Sequence, residues 1–253
     1  MSIVTATLDR VATIEIARPQ KKNALTVAMY QAMAEALEAA RADAGVRAVL
    51  ITGQPGIFTS GNDLEDFVQR PPASEDSPVF RFMRALVQCD KPVVAAVTGA
   101  AIGIGTTMLL HCDLVYVADD AQLAMPFVGL GLVPEFASSL LLPQRIGHAR
   151  AAQRLLLGDP FGAAEAVELG IANAVLPAGE VVRHARRIAE RFNALPPAAV
   201  REAKRLLRAP QTEAVLATIR TEGEAFVQAL RSPEAREAFQ AFFEKRKPDF
   251  SKF

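Results

Sequence analysis

The stretch from Lys91 to Glu135 constrains the fold more than any other part of the chain. It opens Lys91-Pro92-Val93-Val94-Ala95-Ala96-Val97-Thr98-Gly99, an apolar run stopped by glycine that reads as a fully buried strand. Small residues follow, Ala100-Ala101-Ile102-Gly103-Ile104-Gly105, and lead into a helix-length apolar stretch that ends at His111-Cys112-Asp113. Leu114 to Val117 reads as a second strand. A strand, a glycine-rich turn and a helix in succession leave backbone N–H groups unpaired at the helix start, where they can face an anionic oxygen. The stretch closes with Met125-Pro126-Phe127-Val128-Gly129-Leu130-Gly131-Leu132-Val133-Pro134-Glu135, a mostly apolar loop ending in one carboxylate.

The rest of the chain reads as support for this stretch. Ile3 to Leu8 and Val11 to Ala17 alternate apolar and polar residues around Asp9-Arg10, a β-hairpin pattern that Arg18-Pro19 ends. Thr26 is placed to cap a helix whose Met29, Met33, Ala36, Leu37 and Ala40 fall at helical spacing. Gly45 stops that helix, Val46 to Thr52 reads as a buried strand, and Gly53 and Gly56 break the chain before Ile57 to Leu64. Arg70 to Pro78, with its prolines, serines and acids, reads as a flexible loop ahead of a helix over Phe80 to Gln88. Further helices are expected over Ser138 to Ile146, Ala149 to Leu157 and Ala163 to Leu169, then a short strand over Ile171 to Leu176.

From Gly179 the pattern becomes wholly helical: Glu180 to Leu195, Pro197 to Arg208, Thr212 to Leu230 and Pro233 to Phe243. The expected architecture is an α/β body over residues 1–178 and an all-helical region over residues 179–253. No sequence repeat recurs at a fixed period.

With 253 residues, about half of them apolar, the chain can bury a sizeable core, as one large domain or one domain with an appendage. No apolar run is long enough to span a bilayer. Lys plus Arg equals Asp plus Glu, so net charge gives no global reason to expect nucleic acid or an anionic membrane as partner. Cys89 and Cys112, with no signal-peptide pattern at Met1-Ser2-Ile3-Val4, point to a reducing compartment without a disulfide framework. Neither cysteine has a metal-ligand spacing to a histidine, and adjacent His111 and Cys112 point in different directions on a helix. No metal site is expected.

At this point the residues resemble the crotonase superfamily, the enoyl-CoA hydratases and isomerases. Arg18-Pro19 followed by Asn23-Ala24-Leu25 is similar to its N-terminal signature, and Phe58-Thr59-Ser60-Gly61-Asn62-Asp63-Leu64 to its first oxyanion loop. Lys91-Pro92 through Gly105, then Cys112-Asp113, is similar to its second, and Arg246-Lys247-Pro248-Asp249-Phe250 to its usual ending. The resemblance covers nearly the whole chain. It implies a crotonase-like spiral of ββα units with a helical C-terminal region that helps form trimers or dimers of trimers. It also implies an acyl-CoA substrate whose thioester oxygen is held by two backbone N–H groups, which fall here on Asn62 and Ile104. Ser60, Gly61, Asp63 and Leu64 are then expected along the CoA passage, with Gly103, Thr107 and Phe127 at the substrate. CoA is part of the substrate, and no cofactor is needed.

Family hydratases use two glutamates, and the matching positions here hold Thr107 and Phe127. Hydration needs one group to activate water and another to handle the α-proton, and neither residue is a base. Glu135 remains, in a setting similar to the peroxisomal-type Δ3,Δ2-enoyl-CoA isomerases, whose single catalytic glutamate occupies the matching position. Moving a double bond from C3 to C2 needs one base that takes a proton from C2 and returns it at C4. An apolar surrounding of Val133, Pro134 and Phe136 raises the carboxylate's proton affinity and keeps out water.

Two rival readings stand beside this one. Another crotonase-type reaction, hydration or thioester hydrolysis, keeps the fold and the CoA site. A non-catalytic acyl-CoA binder keeps the site and turns over nothing. At the level of single residues, Asp63 is expected to cap or fix its loop, Ser138-Ser139 to cap a helix, and His111, His148 and His184 to be structural or exposed. Arg81, Arg84, Arg183, Arg186 and Arg187 read as solvated faces, and some of these or Lys245, Arg246 and Lys247 are candidates for the CoA phosphates. Ser251-Lys252-Phe253 differs in its last residue from the peroxisomal Ser-Lys-Leu address. A bacterial cytoplasmic enzyme is the favoured setting.

Overall fold

The computed structural model describes every residue except Met1, Ala73 and Glu75. The alternating segments form β1 (Ile3–Leu8) and β2 (Val11–Ile16), antiparallel with Leu8 opposite Val11. Asp9 and Arg10 both take positive φ, as the tightest hairpin turn requires to match the twist of its strands. Helix α1 (Val27–Ala42) follows, and the Thr26 hydroxyl accepts from the Met29 N–H at 3.4 Å. Its Met29, Tyr30, Met33 and Leu37 are buried in the main core.

The chain then lays down strands in pairs. These are β3 (Ala48–Thr52) with β4 (Ile57–Thr59), β5 (Val93–Val97) with β6 (Ala100–Ile102), and β7 (Leu114–Ala118) with β8 (Gln122–Ala124). Helices α2 (Leu64–Gln69) and α3 (Pro78–Val87) separate the first two pairs, and α4 (Ile104–Thr107) separates the next two. The remaining elements are α5 (Ser138–Ile146), α6 (His148–Ala152), β9 (Phe161–Gly162), α7 (Ala163–Glu168), β10 (Ala174–Leu176), α8 (Val181–Arg191), α9 (Pro197–Ala229) and α10 (Pro233–Phe243).

The first strand of each pair joins a six-stranded sheet of order β1-β2-β3-β5-β7-β10, and the second joins a four-stranded sheet of order β4-β6-β8-β9. Each turn of the spiral thus places one strand in each sheet. All five residues of β5 are buried between parallel neighbours β3 and β7, which is why its sequence is apolar without alternation.

The C-terminal helices are tied to this body. Helix α8, the first beyond residue 178, buries Val181, Ala185 and Ala189 against Val11, Leu50, Val94 and Ala96 of the larger sheet. Helix α9 runs unbroken for 33 residues through Pro210, where two helices were expected. Proline removes one N–H bond to the carbonyl four residues back, but Leu206, Leu207 and Pro210 are exposed, so water can satisfy that carbonyl. The helix is also pinned upstream: Lys204 Nζ lies 2.6 Å from the Lys91 carbonyl and 2.7 Å from Asp113, and Arg208 lies 2.8 Å from Asp113. Asp113 in turn accepts from the Val93 N–H at 2.7 Å, so the long helix is docked where β5 and β7 begin.

Two local expectations change, and a third is only partly described. The helix after the glycine turn is short, with α4 passing into a 3-10 turn over Met108–His111. The segment Ala149 to Leu157 is α6 followed by a π-helical turn over Gln153–Leu157. Of the expected loop Arg70 to Pro78, positions 73 and 75 lie outside the described residues, and the chain just before it is helical.

Candidate active site

The loop after β4 is held by the Arg18–Leu25 segment. Asn23, fully buried, accepts from the Arg18 N–H at 2.7 Å and donates to the Ile57 and Phe58 carbonyls at 3.1 Å each. The Thr59 hydroxyl donates to the Asn23 carbonyl, the Ser60 N–H to Lys22, the Leu25 N–H to Gly61 and the Asp63 N–H to Leu25. The last two bonds flank a parallel bridge between Leu25 and Asn62, whose geometry turns the Asn62 N–H to the other side. Asp63 caps α2 by accepting from the Asp66 N–H at 3.1 Å and pairs with Arg18 at 2.6 Å. Burial pushes its carboxyl up, but the Arg18 hydrogen bond and charge outweigh this and hold it below its ordinary range. Asp63 is structural, as the sequence indicated.

The second loop joins β6 to α4. Gly103 has φ +58°, and Ile104 is the first helical residue, so its N–H has no acceptor within the helix. The Gly103 carbonyl accepts from Thr106 and Thr107, and the Thr106 hydroxyl donates to Ala101 at 2.5 Å. The two loops meet closely: a Cβ on Gly61 (φ +90°) would stand 2.9 Å from the Ile102 carbonyl oxygen. Glycine is required there for both conformation and space.

Asn62 and Ile104 line one cavity of about 760 Å³, with Ser60, Gly61, Asp63, Leu64, Gly103 and Phe127. Phe226, Phe239 and Phe242 supply an aromatic wall, and Lys21 and Lys22 bring positive charge to the lining. These two lysines were missing from the sequence-based candidates for the CoA phosphates. Among those candidates, Arg81 is paired with Glu38, and Arg246 with Glu237 and Glu244. Thr107 is fully buried, its hydroxyl has no partner among the described residues, and it is not part of this cavity's lining. Phe127 lies over Gly103, its ring edge 3.7 Å from where a Cβ would sit.

Glu135 does not line the large cavity either. It is 5 % exposed and borders a small pocket of about 10 Å³, near the least that holds one water. Phe67 and Phe226 border both spaces and form an edge-to-face pair with centroids 6.0 Å apart. A second link is Tyr30, whose hydroxyl donates to the Asn62 side chain and whose own proton affinity is raised by burial and then by Glu135. Glu135 Oε1 has no hydrogen-bond partner among the described residues. Burial, then the nearby charge of Glu222, push its carboxyl up to about 8.

The turn after Glu135 corrects one expectation. Ser138 and Ser139 do not cap α5 with their side chains; the Ser138 hydroxyl is buried with no partner among the described residues. The capping carboxylate comes from α9, where Glu222 accepts from the Ala137 N–H at 2.5 Å and the Ser139 N–H at 2.9 Å. Sequence reasoning missed Glu222, although a signal existed: it falls on the helical stripe of Val215, Ile219 and Phe226, where an acid is out of place. His111 is structural. Its Nε2 donates to the Phe136 carbonyl at 2.7 Å, its ring stacks on Phe136, and burial lowers its pKa to about 3, so it stays neutral.

Among the described residues, no group of three His, Cys, Asp or Glu side chains stands where it could hold a metal ion. No described helix is long and apolar enough to cross a membrane.

Against known proteins, the family model described as enoyl-CoA hydratase/isomerase matches residues 7–252. The chain belongs to the enoyl-CoA hydratase/isomerase family. The crotonase resemblance and the spiral fold are therefore both met. The structure of OdaA from Pseudomonas aeruginosa superposes with a TM-score of 0.94 at 54% identity, covering 95% of this chain and 98% of that one. The 2,3-dehydroadipyl-CoA hydratase of Escherichia coli is 29% identical, over 98% of both chains. Human enoyl-CoA delta isomerase 2 is 34% identical over 84% of this chain and 55% of that protein. Family membership accounts for an enzyme of the hydratase/isomerase type, and names of both kinds occur among the relatives.

Proposed function

We propose that the protein is a Δ3,Δ2-enoyl-CoA isomerase serving the oxidation of unsaturated acyl chains. The observation that carries this reading is a buried, proton-hungry carboxylate close to two main-chain donors that have no acceptor among the described residues. The Asn62 and Ile104 amides hold the thioester oxygen. Ionised Glu135 takes a proton from C2, and the C–H electron pair spreads over a dienolate whose charge rests on that oxygen. Protonated Glu135 then delivers the same proton to C4, leaving the double bond between C2 and C3. No redox or water-derived atom is needed, and CoA enters as part of the substrate.

A carboxyl that titrates near 8 suits the double duty of acid and base, because it is a strong base once ionised and holds its proton without losing it to solvent. Phe67 and Phe226, shared by the two spaces, are the rings that must part for the acyl chain to reach Glu135. The absence of a base at Thr107 and Phe127 weighs against hydration. The second reading, hydration of a 2-enoyl-CoA, is favoured by the name of the Escherichia coli relative.

A trimer or dimer of trimers is part of the proposal, and the exposed Leu206 and Leu207 on α9 are available to such contacts. The buried free thiols Cys89 and Cys112 suit a reducing cytoplasm. Mixing the protein with a 3-enoyl-CoA should produce the ultraviolet absorbance of the conjugated 2-enoyl thioester. No absorbance gain with 3-enoyl-CoA, together with loss of conjugation from 2-enoyl-CoA, would replace isomerisation by hydration.

A further inference from the structure

We propose that Glu222 is a positioning residue for Glu135: its carboxylate, carried on α9, fixes the left-handed turn beside Glu135 and takes up the negative charge of this buried pair. The inference rests on the reading of Glu135 as the proton shuttle.

The geometry comes first. Phe136 and Ala137 have φ of +59° and +56°, two successive non-glycine residues in a region that side chains disfavour. Such a turn persists only where its surroundings hold it. Both Glu222 oxygens are used for this, one on the Ala137 N–H and one on the Ser139 N–H, at the start of α5 where backbone donors are otherwise unpaired. From the opposite side, the His111 Nε2–H holds the Phe136 carbonyl. The turn is therefore clamped from α9 and from the segment after α4. Its side chains are wedged too, since Phe136 packs edge-on against Phe82 of α3.

The charge distribution follows from the same contacts. Glu135 faces Tyr30 from α1 and Glu222 from α9, with neutral His111 behind its turn. Helices α2 and α3 present Phe67, Val79, Phe80 and Met83 to its pocket, none of them charged. Glu222 has two amide donors, while Glu135 Oε1 has none. Burial raises the Glu222 carboxyl as well, but the bonds from Ser139 and Ala137 oppose that rise, so the first negative charge of the pair settles on Glu222 and the second must form on Glu135 against burial and against that charge. Glu222 thereby adds to burial in raising the pH at which Glu135 becomes a base. It touches no reacting atom; it acts through Glu135.

The test is Glu222→Gln, which keeps the side chain's length and one acceptor oxygen but removes the charge. Two readouts are taken: the pH profile of kcat/KM with a 3-enoyl-CoA, and titration of the Glu135 side-chain carboxyl by ¹³C NMR in the free enzyme. The Glu135 midpoint should fall by about one pH unit, as for removal of a like charge nearby, and the acidic limb should move with it. At high pH kcat should fall several-fold, with KM nearly unchanged, because the turn is held by fewer bonds. An unmoved midpoint overturns the proposal. If Glu222→Gln does not fold, Glu222→Asp draws the charge back from the turn, and an unchanged kcat and pH profile there overturn it equally. The carbon titration needs no substrate. Full activity in Glu135→Gln would sink the shuttle reading, whereas an inactive Glu135→Gln with an unmoved midpoint in Glu222→Gln would sink this proposal alone.

Discussion

The loop around Asn62 and the turn around Glu135 are the two buried halves of the proposed site, yet they are built in opposite ways. The first is satisfied at nearly every polar atom: Asn23, Thr59, Gly61 and Asp63 are all hydrogen-bonded within about forty residues of sequence. The second holds a carboxylate with an unpartnered oxygen, a left-handed non-glycine turn and a clamp brought from 85 residues away. On the proposed reading, one region stabilises the fold and aims two amides, and the other is held at a cost so that a proton can be moved. The proposed proton carrier sits where the polar accounting fails.

The contrast is broken most severely at Glu135. Glu135→Gln should lower kcat at least about 100-fold in the 3-enoyl-CoA assay, as for loss of a positioned acid/base. The same variant should gain stability relative to wild type as pH rises. With its folded-state pKa raised from 4.5 to about 8, wild-type Glu135 binds more protons folded than unfolded across that window, so stability falls as pH climbs through it. Glutamine lacks that loss, and denaturant titrations should show the variant gaining about 4 kcal/mol on wild type between pH 4 and pH 8. An activity profile for wild type should rise with pH towards about 8 for the same reason.

Smaller effects are expected on the donor side. Gly61→Ala puts a Cβ 2.9 Å from the Ile102 oxygen at φ +90°, and should push the two loops apart. A loss in kcat of about 30-fold with little change in stability is expected, somewhat less than removing a donor outright. Asn23→Ala should do the reverse. It strips buried hydrogen bonds from a residue at φ +56°, and should cost about 2 kcal/mol in chemical denaturation while sparing KM. The smallest effect is expected from Asp63→Asn. Because the carboxyl is held below 3.8 when folded, its stabilisation is present above that value and lost as pH falls through the lower folded-state value. The wild-type advantage in melting temperature should therefore vanish at strongly acid pH.

These two regions also differ in how far they could be read from the chain itself. The donor loops are legible because their logic is local: a glycine where backbone must approach backbone, an apolar strand before it, a capping acid after it. β5 and the hairpin are legible for the same reason, each having a pattern of period and punctuation. The Glu135 turn was only half legible. Its carboxylate stood out among apolar neighbours, but the cap on the following helix looked like Ser138-Ser139 and proved to be Glu222. Tyr30 was not among the α1 residues singled out in the sequence, although its hydroxyl reaches Asn62. Pro210 looked like a break because proline's cost is local, whereas α9 is held by Asp113, Lys91 and the core along its length. Long-range contacts leave no periodic trace in sequence, and they are what hold the Glu135 turn.

The most direct measurement follows a single hydrogen. A 3-enoyl-CoA deuterated at C2 is converted by the enzyme in ordinary water, and the 2-enoyl product is examined at C4 by mass spectrometry after a single turnover. If one sheltered carboxyl carries the hydrogen from C2 to C4, a substantial share of the product should hold deuterium at C4. Product whose new C4 hydrogen comes wholly from water would contradict the account.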